Sequence, residues 1–186
     1  MSANINRIEN ALSYSFKAAD RLFLDTSVWL PVYGPQADKD NNQTRFYSFA
    51  HKTIIEKGCE IYLDVTVLSE FINWCARWEY NQLPDDRRPD SFKAYRNTQE
   101  FEDVAKEITI NVRKILNVSK RIESGFQDID INSVVSEFEK GKTDFNDHII
   151  AELCKKGGYK LVTDDGDFGE IGLTIITANR RLLRSN

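Results

Sequence analysis

Several shortages in this chain each rule something out. Its three cysteines, Cys59, Cys75 and Cys154, are scattered and odd in number, so they offer no disulfide framework and read as small core residues of a protein in a reducing cytosol. Neither they nor the two histidines, His51 and His148, have the spacing of zinc ligands. No apolar run is long enough to cross a bilayer, and the first twenty residues, with Glu9, Lys17 and Asp20, lack the apolar core of a secretory leader. A cytoplasmic protein without membrane attachment is expected. Positive charge is also short: the net charge is −4 and the pI about 5.3, so contact with nucleic acid would need a local patch rather than a global field. Repeats, low-complexity tracts and a linker between domains are missing too. With 41% apolar and 11% aromatic residues the chain can fill one well-packed core, and a single domain over residues 1–186 is expected.

Acidic side chains at well-defined places are what the chain does have. In residues 143–168, TDFNDHIIAELCKKGGYKLVTDDGDF, Ile149, Ile150, Leu153 and Cys154 recur at helical spacing behind Thr143 and Asp144, both good N-cap residues. The Gly157-Gly158 pair ends that helix, and Asp147 lies in its first turn. Tyr159 to Thr163 then reads as a short buried strand, and Asp164-Asp165-Gly166-Asp167 as the turn leaving it. A helix followed by a parallel strand runs opposite to it, so Asp147 and Asp165 belong on the same sheet edge.

Earlier in the chain, Ile5, Ile8, Leu12 and Phe16 form a stripe that predicts a helix over 4–18. Arg21 to Asp25 is an apolar run closed by an acid, with Thr26-Ser27 able to cap the helical segment around Val28 to Leu30. A helix from Gln43 to Gly58 leads to a strand at Ile61 to Leu63, after which a helix carries Glu70 in its early turns beside a thick apolar stripe. Residues 81–97 hold two prolines and mixed charge and read as a connection or lid. A long amphipathic helix from Phe101 to about Lys120, a shorter one over Ile131 to Phe138, a strand at Leu173 to Ile176 and a basic tail complete the chain, with about 77–126 standing out as a helical insertion.

Short apolar strands separated by helices imply a parallel sheet covered on both faces, in which ligands bind beyond the carboxyl ends of the strands. Asp25, Glu70, Asp147 and Asp165 all map to that edge. Four crowded carboxylates repel unless a cation sits among them, and an all-oxygen donor set suits Mg²⁺ or Mn²⁺. Such ions activate water and hold the charge of a phosphodiester displacement, which is nuclease chemistry.

The segments Asp25-Thr26-Ser27, Leu68-Ser69-Glu70-Phe71, Asp147-His148-Ile149-Ile150-Ala151 and Thr163-Asp164-Asp165-Gly166-Asp167-Phe168 resemble the motifs of PIN-domain nucleases. The resemblance covers residues 21–72 and 143–177. It implies a three-layer α/β/α fold with a central parallel sheet flanked by helices, and Mg²⁺- or Mn²⁺-dependent cleavage of single-stranded RNA by a metal-activated water. It further implies Asp25, Glu70, Asp147 and Asp165 as catalytic metal ligands, with Thr26, Ser27 and Thr163 in support. VapC-type toxins of this family form homodimers and are held inactive by an antitoxin protein, so a homodimer and an antitoxin partner are also expected. Asp144 and Asp167 are further ligand candidates; Asp144 is equally well the N-cap with Asp147 as its capping-box partner, and Asp167 a turn support, while Asp164 is expected to face solvent. For RNA contact, Arg87, Arg88, Lys93 and Arg96 sit with Phe92 and Tyr95, a basic and aromatic mixture, and Arg113, Lys114, Lys120 and Arg121 form a second group. Competing readings are an inactive PIN-like RNA-binding or scaffold domain, and a phosphatase with Asp25 as nucleophile, which lacks the second aspartate expected at Ser27.

Overall fold

The computed structural model describes residues 6–37, 41–141, 144–168 and 172–184. Six parallel strands form one sheet in the order β1-β6-β5-β2-β3-β4: β1 (Arg7–Asn10), β2 (Arg21–Leu24), β3 (Glu60–Leu63), β4 (Lys120–Arg121), β5 (Lys160–Val162) and β6 (Thr174–Thr177). Eight helices among the described residues flank it: α1 (Thr26–Tyr33), α2 (Asn42–Glu56), α3 (Val65–Gln82), α4 (Phe92–Tyr95), α5 (Gln99–Val118), α6 (Ile131–Phe138), α7 (Phe145–Gly157) and α8 (Arg180–Arg184). The sheet core is apolar without alternation, because both faces are covered: Leu22, Phe23, Leu24, Leu161, Val162, Ile175 and Ile176 are all fully buried. Truncating Phe23 to Ala at such a site costs about 3–5 kcal/mol.

β2 is the switch point. From it the chain crosses through α1 and α2 to β3 on one side, while β5 arrives on the other, with Phe23 in register with both Tyr62 and Leu161. In such a sheet, the place where ligands bind is where the connections diverge, beyond the carboxyl ends of β2 and β5. α1 packs on α2 and α3, and α3 on α5, so α3 is held beside that edge.

Two elements differ from the sequence expectation. In place of a helix over 4–18 there is β1, an edge strand paired only to β6, followed by a turn in which Asn10 Oδ1 accepts from the Leu12 N–H at 2.9 Å. Its residues, Arg-Ile-Glu-Asn, are too polar for a central strand but suit an edge; Ile5, also part of the helical stripe, lies outside the described residues, as does Thr143. The 77–126 stretch is largely helical, yet it also supplies β4, which pairs Lys120 and Arg121 with Tyr62 and Leu63 as the opposite edge of the sheet. The helix expected to reach about Lys120 therefore stops at Val118. Within 81–97, α4 is capped by Ser91 and buries Tyr95 among Tyr80, Phe92 and Phe101, so part of that stretch is packed rather than a free loop.

α7 ends where Gly158 takes φ 63°, a left-handed conformation that glycine adopts without strain. Gly157 before it faces the Tyr159 ring so closely that an added Cβ would lie 2.0 Å from the ring, which brings the chain directly into β5.

Candidate functional site

Asp25 ends β2 and caps α1. Its Oδ1 accepts from the Thr26 N–H at 2.7 Å; its Oδ2 accepts from Ser27 Oγ at 2.6 Å, Thr163 Oγ1 at 2.9 Å and the Ser27 N–H at 3.4 Å. The two hydroxyls are themselves fixed from the loop after β5: Ser27 Oγ accepts from the Asp164 N–H and Thr163 Oγ1 from the Asp165 N–H, each at 2.9 Å. Oδ2 is thereby saturated, whereas Oδ1 keeps a lone pair to offer. Burial raises the Asp25 pKa, against the pull of these hydrogen bonds. Such a buried, four-fold bonded carboxylate is poorly placed as a phosphatase nucleophile.

Thr26 turns to the other side, donating from Oγ1 to Glu70 Oε2 at 3.0 Å and so tying the second turn of α3 to the start of α1. The Glu70 pKa is raised by burial and by the charges of Asp25, Asp144 and Asp165. Asp147, in the first turn of α7, is pushed up to about 7, first by burial and then by Asp165, Asp25 and Asp144. The structure thus brings Asp25, Glu70, Asp147, Asp165 and Asp144 within electrostatic reach of one another, and among the described residues none of the five pairs with Lys or Arg.

Asp144 is the α7 N-cap, its side chain accepting from the Asn146 N–H at 3.2 Å rather than from the Asp147 N–H, so the full capping box expected from the sequence does not form. The Asp144 N–H acts to lower the Asp147 pKa. The exposed Asp167 lies 3.8 Å from Arg181 Nη1, and its N–H donates to Asp165 Oδ1 at 2.8 Å, so it supports the turn that carries Asp165. Asp164 does not simply face solvent. Its Oδ1 lies 2.7 Å from the hydroxyl of fully buried Tyr47, its Oδ2 accepts from the Gln43 amide, and its carbonyl accepts from Asn179 Nδ2.

Tyr47 and Asp64 escaped the sequence reading. Tyr47 Oη also accepts from the Ala178 N–H at 3.0 Å, joining α2 to the ends of β5 and β6; an aromatic in an amphipathic helix carries no mark of such a role. Asp64 ends β3 as Asp25 ends β2, capping α3 through Val67 N–H at 3.1 Å, while its Oδ2 has no partner among the described residues. Its position just after an apolar run was the available signal. Of the basic candidates, Arg88 is committed to the Leu83 and Asn81 carbonyls and to Asp85. Tyr95, 1% exposed, presents no face to a base, whereas Arg87, Lys93 and Arg96 are exposed.

The donors fit a hard divalent cation by chemistry: carboxylates gather around the positive N-termini of α1, α3 and α7, where burial and neighbouring charge raise the pKa values of Glu70 and Asp147. Among the described residues no three His, Cys, Asp or Glu side chains converge closely enough to ligate one ion directly. Like charges hold apart when nothing lies between them, and Mg²⁺, which keeps several of its waters, needs only one or two direct carboxylates.

Comparison with known proteins agrees with this parallel-sheet fold. The PIN domain family model matches residues 22–174, and the chain belongs to the PIN-domain family. A solved structure of VapBC2 from Rickettsia felis, bound to a DNA fragment from its promoter, is similar in fold at 15% identity and a TM-score of 0.52, covering 84% of this chain and 98% of that one. PAE2754 from Pyrobaculum aerophilum aligns over 95% of both chains at 16% identity with a TM-score of 0.49. None of the curated proteins matches in sequence. No helix among the described residues is long and apolar enough to cross a membrane.

Proposed function

We propose that the chain is a Mg²⁺- or Mn²⁺-dependent endoribonuclease whose cation is held by Asp25, Glu70, Asp147 and Asp165. The carrying observation is that Asp25, Glu70, Asp147 and Asp165 come from four elements to one sheet edge, where burial and neighbouring carboxylates raise the pKa values of Glu70 and Asp147 and neither pairs with a Lys or Arg among the described residues. The residues divide the work. Ser27 and Thr163 aim Asp25, Thr26 holds Glu70, and α7, capped by Asp144, carries Asp147 in its first turn. The helix N-termini at this edge favour an incoming phosphate despite the net negative charge. When bound, the cation lowers the pKa of a water and offsets the charge that develops on the phosphoryl oxygens. Family membership and the VapBC2 fold likeness support a toxin role in a cytoplasmic toxin–antitoxin pair, with an antitoxin protein as partner and the chain itself a homodimer.

The test is cleavage of structured and unstructured RNAs by purified protein in Mg²⁺, Mn²⁺ or EDTA, beside Asp25→Asn, Glu70→Gln and Asp147→Asn. Metal-dependent cutting lost in all three folded variants supports the assignment. Undiminished cutting in any of them removes that residue from the site, and RNA binding without cutting in any metal favours an inactive RNA-binding domain.

A further inference from the structure

α3 does more than present Glu70. Residues four apart share a helix face, so Trp74 lies directly below Glu70 and Trp78 below Trp74. The two indoles are stacked, with ring centroids 5.2 Å apart and planes 9° from parallel. Trp74 is half-buried and serves as a wall for two depressions. One is a cavity of about 230 Å³ that starts at Ser27 and runs between Leu30 and Pro31 of α1 and the amides of Gln36 and Gln43. The other is an open groove of about 630 Å³ that starts at Glu70 and runs past Trp74 to Arg77, with Asn146 of α7 on its far side. Ser27 of the first hydrogen-bonds Asp25 and Glu70 lines the second, so both depressions adjoin the acidic site and share Trp74 as a wall.

Their chemistry differs in a useful way. The first has an aromatic wall, apolar sides and side-chain amides, which offer both donors and acceptors. The Gln43 Nε2 is engaged with Asp164, which leaves its oxygen to accept; the Gln36 amide has no partner among the described residues. The second mixes the polar side chains of Ser69, Asn73 and Asn146 with apolar surface from Val65 and Trp74, and reaches the Arg77 guanidinium, which lies 4.9 Å over the Phe92 ring.

We propose that the smaller cavity receives one unpaired nucleobase of the RNA strand beside the cut, stacked on Trp74 with its edge met by Gln36 and Gln43, while the larger groove carries the adjoining sugar–phosphate toward Arg77. This rests on the nuclease reading of the acidic site and deepens it by naming where one unpaired base of the strand would sit. A base in a duplex is stacked on both faces by its neighbours and cannot enter a walled cavity without leaving the helix, whereas stacking on an indole tolerates any unpaired base.

Binding separates this proposal from catalysis. A fluorescent single-stranded RNA of about ten nucleotides is titrated, by anisotropy, into the Asp147→Asn protein with Trp74 intact, Trp74→Ala, Trp74→Phe or Gln36→Ala, and into the first of these with the RNA made double-stranded or carrying one abasic position at a time. Trp74→Ala is expected to weaken binding about tenfold, the loss of one stacked base, with Trp74→Phe recovering most of it. One abasic position is expected to weaken binding to the protein with Trp74 and to make no difference once Trp74 is Ala; Gln36→Ala weakens binding less. Absence of RNA binding, equal affinity for the duplex, unchanged binding in Trp74→Ala, or abasic positions that are all equivalent each overturn it. Cleavage by the unsubstituted protein is scored separately: cutting with an indifferent Trp74 refutes the base cavity alone, and a Trp74-dependent interaction without cutting in any metal refutes the nuclease alone.

Discussion

Asp147→Asn makes the electrostatic argument quantitative. Raising this carboxyl from its ordinary 3.8 to about 7 corresponds to a ceiling of about 4 kcal/mol of unfavourable charge in the folded state at alkaline pH. The group is only part-buried, so screening reduces the effect to about 1–3 kcal/mol. Between pH 4 and 7, roughly, the folded protein holds a proton that the unfolded chain has released; stability from this group therefore falls as pH rises through that window and is level above it. Asparagine keeps an oxygen for the Asp144 N–H and carries no charge. The variant is expected to melt about 2–12 °C above the parent at pH 8 without added metal, given about 2–4 °C per kcal/mol at this size, with the gap closing toward pH 4. Thermal melts followed by circular dichroism at pH 4.5, 6 and 8, with EDTA and then with Mn²⁺, measure it. Mn²⁺ is expected to raise the parent more than the variant, since a ligand stabilises only the state that binds it. A variant less stable than the parent at pH 8, or a gap independent of pH, would refute the reasoning.

The supporting shell and the opposite edge of the sheet give further outcomes. Thr163→Val removes one donor from the buried Asp25 and the acceptor for the Asp165 N–H, and is expected to cost about 1–3 kcal/mol in urea unfolding; an unchanged midpoint would contradict the network. Tyr47→Phe strands the Ala178 N–H and frees Asp164, with an expected loss of about 1–2 kcal/mol and, in an RNA cleavage assay, a larger fall in turnover than in substrate affinity. Asp20 is held below its usual range: burial raises it, but the Lys160 ammonium and the Lys17 N–H outweigh that. Its contribution is present above about pH 4 and is lost as pH falls through the folded pKa. Lys160→Met should therefore destabilise at pH 7 and shrink the loss seen on acidification, as read from melts at pH 3 and pH 7.

How much of this could be read beforehand depended on whether a residue's environment was written next to it. Asp25 and Asp165 follow apolar β-branched or aromatic runs, and Asp144 and Asp147 open a helix with its capping spacing, so their placement at one edge followed from parallel-sheet geometry alone. β1 was not legible because Ile5, Ile8, Leu12 and Phe16 fit a helical period, while the pairing that makes Arg7–Asn10 a strand comes from residues 174–177 at the far end of the chain. β4 is two residues long, too short for any period. Asp164 and Tyr47 were missed for a shared reason: their meaning lies in a contact across 117 residues, and neither side chain signals it locally. Tyr95 read as an available aromatic because a basic, proline-bearing stretch looks solvated; four packed rings make it core.

The hydroxyl clamp on Asp25 joins residues 138 positions apart. On a ribosome adding about 5–20 residues per second, Asp25 emerges roughly 7–28 seconds before Thr163 exists. Throughout that interval the first half of the site has neither its second orienting hydroxyl nor the acids of α7 and the loop after β5. A truncated translation product ending before residue 144 would carry Asp25 and Glu70 but no complete acid set, so release of unfinished chains yields no working centre. For a chain proposed to cut RNA, the message and ribosome that make it meet no complete acid set until the loop after β5 has been made.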